Sequence, residues 1–100
     1  MAEVIWTEPA LQELEAIAEY IALDNPAAAT HLVSAIFEKT KRLEDFSQSG
    51  RTPPELPSSI YRELVVPPCR VFYREDGNQA LILYVMREER QLRAYMLANS

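Results

Sequence analysis

The stretch from Tyr61 to Met86 decides the fold of this chain and reads YRELVVPPCRVFYREDGNQALILYVM. Pro67-Pro68 divides it once, and Asp76-Gly77 before an asparagine divides it again; an Asp-Gly pair at such a position is typical of a β-hairpin turn. The intervening runs are rich in β-branched and aromatic residues, which favour strands. We therefore predict antiparallel strands at Ile60–Val66, Arg70–Glu75 and Gln79–Met86.

Amphipathic helices are predicted ahead of this sheet, after a first strand at Val4-Ile5-Trp6. Thr7 is a suitable N-cap for the first helix, and Asn25 with Pro26 suits the start of the second. The short connection between the helices predicts an antiparallel hairpin. The residues expected on the buried faces are Leu11, Leu14, Ala18 and Ile21, then Ala29, Leu32, Val33, Ile36, Phe37 and Leu43.

The pattern from Glu88 onward is typical of a short C-terminal helix, with Leu92, Met96 and Tyr95 along one side. Residues 46–59 are rich in serine and proline and are predicted as a loop. The order β-α-α-β-β-β-α predicts an α+β fold. In it the N-terminal strand is followed by a helical hairpin that packs on one face of a small antiparallel sheet.

Size and charge narrow the possible functions. The chain's 100 residues, 48% of them hydrophobic, are expected to form a single domain, residues 1–100. The net charge is −5: residues 1–45 carry nine acidic and three basic side chains, whereas residues 46–100 carry six and seven. A protein that binds nucleic acid by itself usually has a strongly basic surface. We therefore expect no independent nucleic-acid binding.

The sequence also indicates the compartment. No apolar run approaches the ~20 residues of a membrane span, and the first residues lack the pattern of a signal peptide. Cys69 is the only cysteine, so no internal disulfide can form and a reducing compartment is favoured. We therefore expect a cytoplasmic protein without membrane contacts. His31, the only histidine, has no neighbours for a metal site, so neither a metal nor a cofactor is expected.

Arginines are the polar residues that most need an explanation. Strand alternation places Arg70, Phe72 and Arg74 on one face of the sheet, and Val71 and Tyr73 on the other. One interpretation is a solvated face with ion pairs to Glu63, Glu75, Glu88 and Glu89. The other is a cluster that binds carboxylates or phosphates, which suit the forked donors of arginine. The pattern alone leaves both interpretations open.

The order of these motifs resembles the ParE/RelE toxin superfamily of bacterial type II toxin–antitoxin systems, over nearly the whole chain. The resemblance implies a toxin that arrests growth and a cognate antitoxin that neutralises it. The matching residues are Val4-Ile5-Trp6, Leu14, Ile17, Tyr20-Ile21-Ala22, Pro26, Gly50-Arg51, Tyr61-Arg62-Glu63-Leu64, Arg70-Val71-Phe72-Tyr73-Arg74, Leu81-Ile82-Leu83-Tyr84-Val85, Arg87 and Arg90.

The resemblance implies one of two targets. RelE-like members are ribosome-dependent mRNA endonucleases that use lysines, arginines and a C-terminal tyrosine, whereas ParE-like members, which typically lack that set, inhibit DNA gyrase. Here a nuclease could use Arg62, Arg70, Arg87 and Tyr95. The strand that should carry lysines offers Arg62 alone, and arginine is a poor general base because it stays protonated. We therefore favour the ParE-like branch and action by binding, without catalysis. A RelE-fold binding module without toxicity is a further hypothesis.

Separate contact surfaces for the target and the antitoxin follow from the resemblance. The target, gyrase or alternatively the ribosome with its mRNA, is expected to contact Arg87, Arg90, Arg93 and Tyr95. The cognate antitoxin is expected to contact Arg62, Arg70, Tyr73 and Arg74 through its acidic residues.

Overall fold

The elements follow the predicted order along the chain. The structure is a computed structural model that describes residues 1–97. The elements are β1 (Glu3–Trp6), α1 (Glu8–Ala22), α2 (Pro26–Lys41), a 3-10 turn (Arg42–Glu44), β2 (Arg62–Val66), β3 (Cys69–Asp76), β4 (Gln79–Arg87) and a 3-10 turn (Ala94–Met96). No helix within these residues is long and apolar enough to cross a bilayer.

Both α-helices begin at the predicted capping side chains. Thr7 Oγ1 accepts a hydrogen bond from the Ala10 N–H at 3.4 Å and donates one to the Ile82 carbonyl at 2.7 Å. Asn25 Oδ1 accepts a hydrogen bond from the Ala28 N–H at 3.1 Å. Such bonds satisfy amides that a helix leaves unpaired in its first turn. The Thr7 hydroxyl also ties the start of α1 to β4.

In the described part of the chain the strands form one sheet in the order β1-β4-β3-β2. The antiparallel pairing of β2, β3 and β4 is confirmed, and Gly77 turns the last hairpin with a positive φ of 59°. The strand β1 runs parallel to β4, so the sheet is mixed. Two parallel strands that are neighbours in a sheet need a long connection, and here α1, α2, β2 and β3 connect β1 to β4.

The helical hairpin covers one face of the sheet and buries the larger core. Leu14, Leu32 and Ile36 are buried there, as predicted. The prediction that Leu11 is buried is wrong: it is 42% exposed, because the helix meets the sheet through Ala10 and Leu14. The equivalent prediction for Phe37 also fails in part, since this residue is 41% exposed. Its ring nevertheless packs against the Trp6 ring, with centroids 4.9 Å apart.

The opposite face of the sheet is covered by residues Arg87–Leu97, hereafter the C-terminal segment. Leu92 and Leu97 of this segment pack with Phe72, Leu83 and Met86 in a second buried cluster. The expected helix from Glu88 is replaced by an irregular path and the 3-10 turn, with Arg93 extended. The path is irregular because Leu92 and Leu97 reach the sheet together, and a helix would not place residues five apart on one face.

Candidate functional site

A cluster of ion pairs lies on the sheet face opposite the helices, formed by Arg51, Glu55, Glu63 and Arg70. Glu63, on β2, has a fully buried side chain. Its Oε1 accepts a hydrogen bond from Arg70 Nε at 2.9 Å, and its Oε2 accepts one from Arg51 Nε at 2.5 Å. A buried carboxylate is tolerated only when its charge is matched and its oxygens are bonded. The ion-pair cluster satisfies both conditions for Glu63.

Glu55 completes the ion-pair cluster from the loop between the helices and β2. Its carboxylate accepts hydrogen bonds from Arg70 Nη1 at 2.8 Å and Arg70 Nη2 at 2.7 Å. The same carboxylate accepts the Leu92 N–H at 3.1 Å. The Arg70 hydrogen bond is the main cause that lowers the pKa of Glu55 to about 2, and it also raises the pKa of Arg70. Both groups are therefore charged at neutral pH.

These contacts indicate that the role of Arg70 is structural. The residue is 7% exposed, its guanidinium nitrogens bond the two carboxylates, and it lies 4.9 Å from the centre of the Phe72 ring. These bonds use four of the five N–H groups of the guanidinium, so Arg70 has at most one left for a phosphate. The predicted ion pair of Arg70 with Glu63 is present, but it is buried, whereas a solvated face was expected. Glu55 was not anticipated because loop residues follow no periodic pattern.

Tyr73 and Arg62 hold the loop after α2 against the helix side of the sheet. The buried Tyr73 hydroxyl donates to the Ser47 carbonyl and accepts the Gly50 N–H, both at 2.9 Å, and burial raises the pKa of Tyr73. Arg62 donates to the carbonyls of Gln48 at 3.3 Å and Gly50 at 2.8 Å. A Cβ at Gly50 would lie 2.7 Å from the Tyr73 ring and hydroxyl, so glycine is required for this close approach.

Not all the residues predicted to contact an antitoxin lie at the surface. Arg70 and Tyr73 are buried, which favours a supporting role for them. Arg62 is half-buried, and Arg74 has a side chain 21% exposed with Asp76 at 3.7 Å among its contacts. Direct contacts with an antitoxin thus remain a prediction that suits Arg62 and Arg74 better than the other two.

The arginines that a nuclease could use are spread over the sheet. Arg62 pairs with Tyr73, whereas Arg87 pairs with Cys69, four residues earlier in β3. At ~3.3 Å per residue, their partners Tyr73 and Cys69 are roughly 13 Å apart along β3. Arg62 shares the helix side of the sheet with Tyr73, and alternation puts Arg70 on the opposite side. The fold therefore does not bring Arg62 and Arg70 together around one phosphate.

The predicted target-contact residues all lie on the C-terminal segment, but not on one side of the sheet. Arg87, the last residue of β4, pairs with Cys69 of the helix-side core, so strand alternation turns its side chain to that side. Arg90, Arg93 and Tyr95 are exposed, and Tyr95 is the most open aromatic of the described chain at 72%. Arg87 is partly exposed and its Nε donates to Glu89 at 2.9 Å. Leu92, between these residues, is buried in the second cluster. The segment thus presents basic and aromatic side chains around one apolar anchor.

A second candidate surface was missed by the sequence reasoning. A groove of about 640 Å³ lies between the end of α2 and the outer edge of β2, and we refer to it as the basic groove. Its lining includes Lys39, Arg42, Arg51, Phe46 and Val65. Phe46 is 66% exposed, and at this edge of β2 the described chain adds only the Arg51–Glu63 bridge, with main-chain hydrogen bonds of 3.1 and 2.7 Å. The sequence signal was an isolated Phe46 in a serine-rich loop, but only the fold shows which cations surround it.

Other reactive groups do not form a site in the described residues. Cys69 is buried, and burial raises the pKa of its thiol to about 11, so it is protonated at neutral pH. His31 is exposed on α2. Among residues 1–97 no cluster of three or more His, Cys, Asp and Glu side chains could hold a metal ion.

Comparisons with known proteins agree with this architecture. The sequence model of the family described as "ParE toxin of type II toxin-antitoxin system, parDE" matches residues 4–92. Toxin RelE2 of Caulobacter vibrioides is 37% identical over 79 residues, which are 77% of this chain and 85% of that toxin.

A solved structure of a chromosomal ParDE TA system from P. aeruginosa superposes with a TM-score of 0.75 at 29% sequence identity. The match covers 89% of this chain and 98% of the other. The resemblance to the ParE/RelE superfamily is thereby confirmed, together with the α+β fold that it implies. The chain belongs to the ParE toxin family and is a toxin of a type II toxin–antitoxin system.

Proposed function

We propose that this toxin arrests growth by binding DNA gyrase in the cytoplasm, without catalysing a reaction, and that a cognate antitoxin neutralises it. The observation that carries the proposal is the enclosure of Arg70 by Glu55 and Glu63. In a nuclease, an arginine at this point of the fold would stabilise the charge that develops on the cleaved phosphate. Here its donors bind carboxylates of the same chain.

The remaining chemistry also supports a binding protein. RNA cleavage needs a general base near neutral pH, and arginines stay protonated there. Lysine is absent from the strands, and His31 lies on the outer surface of α2, away from the sheet. The C-terminal segment supplies what a protein contact needs, since arginine and tyrosine are the residues most enriched at the centres of interfaces. No cofactor is required for such a function.

A ribosome-dependent mRNA endonuclease is the second candidate. It is favoured by the 37% identity to a protein named Toxin RelE2, and by the presence of Arg87 and Tyr95 on one exposed segment. Under this alternative the partners are the ribosome and its mRNA. A binding module without toxicity is the third candidate, and it predicts that expression without the antitoxin leaves growth unaffected.

The deciding experiment uses purified toxin in two parallel reactions. One contains gyrase and relaxed plasmid DNA and is scored for supercoiling and for cleaved DNA complexes. The other contains translating ribosomes and is scored for mRNA cleavage by primer extension. We expect inhibition of gyrase and intact mRNA. Site-specific mRNA cleavage with unaffected gyrase would contradict the proposal and establish the nuclease. No effect in either reaction, with no growth arrest in cells, would leave the binding module.

Family membership implies an antitoxin partner, and we propose the basic groove as a place where it docks. The toxin as a whole has a net charge of −5, yet Lys39 and Arg42 line this groove beside the exposed Phe46. Arg51 lines it as well, bonded to Glu63 of the same lining. An extended segment with acidic and apolar side chains would match both features. It could also pair with the outer edge of β2 at Val65, beyond the Arg51–Glu63 bridge, as peptides do when they add a strand to a sheet.

Charge reversal tests this docking site. The double substitution Lys39→Glu and Arg42→Glu should weaken antitoxin binding roughly 10- to 100-fold, mainly through slower association at low salt. Both side chains are exposed, so the fold should be retained. Isothermal titration or surface plasmon resonance at several salt concentrations would measure the effect. Arg93→Glu, on the C-terminal segment, is the matched control. If only Arg62→Ala or Arg74→Ala weakens binding, the antitoxin occupies the surface predicted from the sequence instead.

A further inference from the structure

The C-terminal segment contacts the rest of the described chain at three places: near its start, at Leu92, and at the buried Leu97, whose carbonyl accepts a hydrogen bond from the Tyr61 hydroxyl at 3.4 Å. Within the described chain, residues 88–93 form neither helix nor strand, and Arg90, Gln91 and Arg93 are exposed. The backbone is tied at the start by the Glu88 N–H, which donates to the Pro68 carbonyl at 2.9 Å. Leu92 is the next buried residue, with 2% of its surface exposed.

The Leu92 amide lies beside an apolar cluster and needs an acceptor. Phe72, Leu83 and Met86 surround the Leu92 side chain, and a buried N–H without a partner costs considerable free energy. The acceptor is the Glu55 carboxylate, at 3.1 Å, from a loop 37 residues away in sequence. Glu55 therefore connects the middle of the C-terminal segment to another part of the molecule.

The Glu55 carboxylate is itself held in place. Arg70 binds both of its oxygens, at 2.7 and 2.8 Å, and Arg70 in turn is bonded to the buried Glu63 of β2. Leu56, the next residue, packs against the same apolar cluster as Leu92. The contacts thus run without interruption from the sheet through Arg70 and Glu55 to Leu92. The lowered pKa of Glu55, about 2, means that these bonds persist throughout the physiological pH range.

We propose that Glu55 is the positioning residue of the target-binding surface: it fixes the C-terminal segment on the sheet, so that Arg90, Arg93 and Tyr95 are presented together. This inference rests on the proposed function, since it takes the segment to be the contact with gyrase. A binding surface fixed in advance avoids the entropic cost of ordering it during association. Glu55 need not touch the target to affect the affinity.

Glu55→Gln tests the proposal because it keeps the shape and changes the bonding. One oxygen, Oε2, accepts from both Leu92 and Arg70 Nη1, and the other accepts from Arg70 Nη2. An amide has a single oxygen without charge, so even with that oxygen at the Oε2 place its NH₂ group faces Arg70 Nη2 and the bond to Leu92 loses its charge assistance. We expect the Leu92 amide to exchange with deuterium roughly tenfold faster or more, as expected for the loss of a charge-assisted hydrogen bond. Inhibition of gyrase should fall by about tenfold or more because the presented residues are no longer pre-organised.

Two controls separate positioning from general stability. Glu15→Gln changes an exposed glutamate on α1 and should match the wild type in every measurement. Exchange at Val71 and Val85, in the buried strands, should stay the same in Glu55→Gln, and so should the affinity for the antitoxin. If Glu55→Gln unfolds as a whole, Glu55→Asp is used. Aspartate keeps the negative charge that Arg70 binds, but its side chain is one methylene shorter. In that variant the deuterium exchange rate of the Leu92 amide is compared with that of the Val71 amide.

The outcomes are distinct. Faster exchange at Leu92 together with weaker inhibition supports the proposal. The proposal is overturned if the Leu92 amide exchanges with deuterium at the wild-type rate. It is also overturned if that amide exchanges faster while the variant still inhibits gyrase fully. Failure of the proposed function is seen separately, because the wild-type toxin would then leave gyrase unaffected. Exchange at Leu92 would still show whether Glu55 fixes the segment.

Discussion

Replacing Arg70 with alanine is expected to lower the free energy of unfolding by about 3–5 kcal/mol, the range for removing one partner of a buried ion pair. The variant would leave Glu63, whose side chain is fully buried, with Arg51 as its remaining cation. It would also leave the Glu55 carboxylate without the cation that it binds through both oxygens. Because small domains unfold at a cost of about 5–15 kcal/mol, such a loss is a large fraction of the total.

Urea denaturation followed by circular dichroism would measure this loss. Arg90→Ala is the matched control, since Arg90 is exposed and its truncation should change the stability by less than about 0.5 kcal/mol. A change below about 1 kcal/mol in Arg70→Ala would be typical of a surface ion pair. That outcome would mean that solvent reaches Glu63 and that the ion-pair cluster does not hold the molecule together.

Because the role of Arg70 is structural, loss of activity in its variants has to be interpreted differently. From the sequence, loss of activity in Arg70→Ala would indicate a nuclease that uses this arginine on phosphate. In the structure, the same substitution disturbs Glu55 and, through it, the contact with Leu92. A gyrase inhibitor would therefore lose activity as well. Only a variant that keeps the ion-pair cluster intact can separate the two mechanisms by activity.

Local signals predicted most of the architecture. Thr7 and Asn25 mark the helix starts because each side chain bonds an amide in the first turn, an interaction that needs no distant partner. The Asp76-Gly77 pair fixed the last hairpin because glycine tolerates the positive φ that the turn requires. The strand limits were less certain, and Ile60 with Tyr61 falls outside β2.

What could not be predicted depends on contacts between residues distant in sequence. The C-terminal segment was expected to be helical, since its local pattern allows a helix, but Leu92 and Leu97 are drawn onto the sheet. Glu55 bonds a main-chain amide 37 residues away, and no spacing rule reaches that far. The basic groove likewise combines cations of α2 and of the loop before β2. Candidate sites built from one strand or one segment were therefore easier to find than sites shared between elements.

The largest functional effect is expected on the C-terminal segment. Simultaneous replacement of Arg90, Arg93 and Tyr95 with alanine should reduce gyrase inhibition by about 100-fold or more, because a single interface hot spot contributes about 2 kcal/mol or more. The three side chains are exposed and Leu92 stays in place, so the fold and the ion-pair cluster should be unchanged. Titration of toxin against gyrase supercoiling, with growth arrest measured in cells, would give the size of the effect.

A matched control shows whether the effect is specific to this surface or follows from any loss of exposed charge and aromatic area. Phe46 is 66% exposed, close to the 72% of Tyr95, and Lys39 and Arg42, which line the basic groove with it, are also exposed. The variant Phe46→Ala with Lys39→Ala and Arg42→Ala removes two cations and one aromatic ring, as the C-terminal variant does, and should inhibit gyrase as the wild type does. Antitoxin affinity should remain at the wild-type level in the C-terminal variant, because the basic groove is lined by other residues. Full gyrase inhibition by the C-terminal variant would exclude this segment as the target contact and direct the search to the exposed faces of α1 and α2.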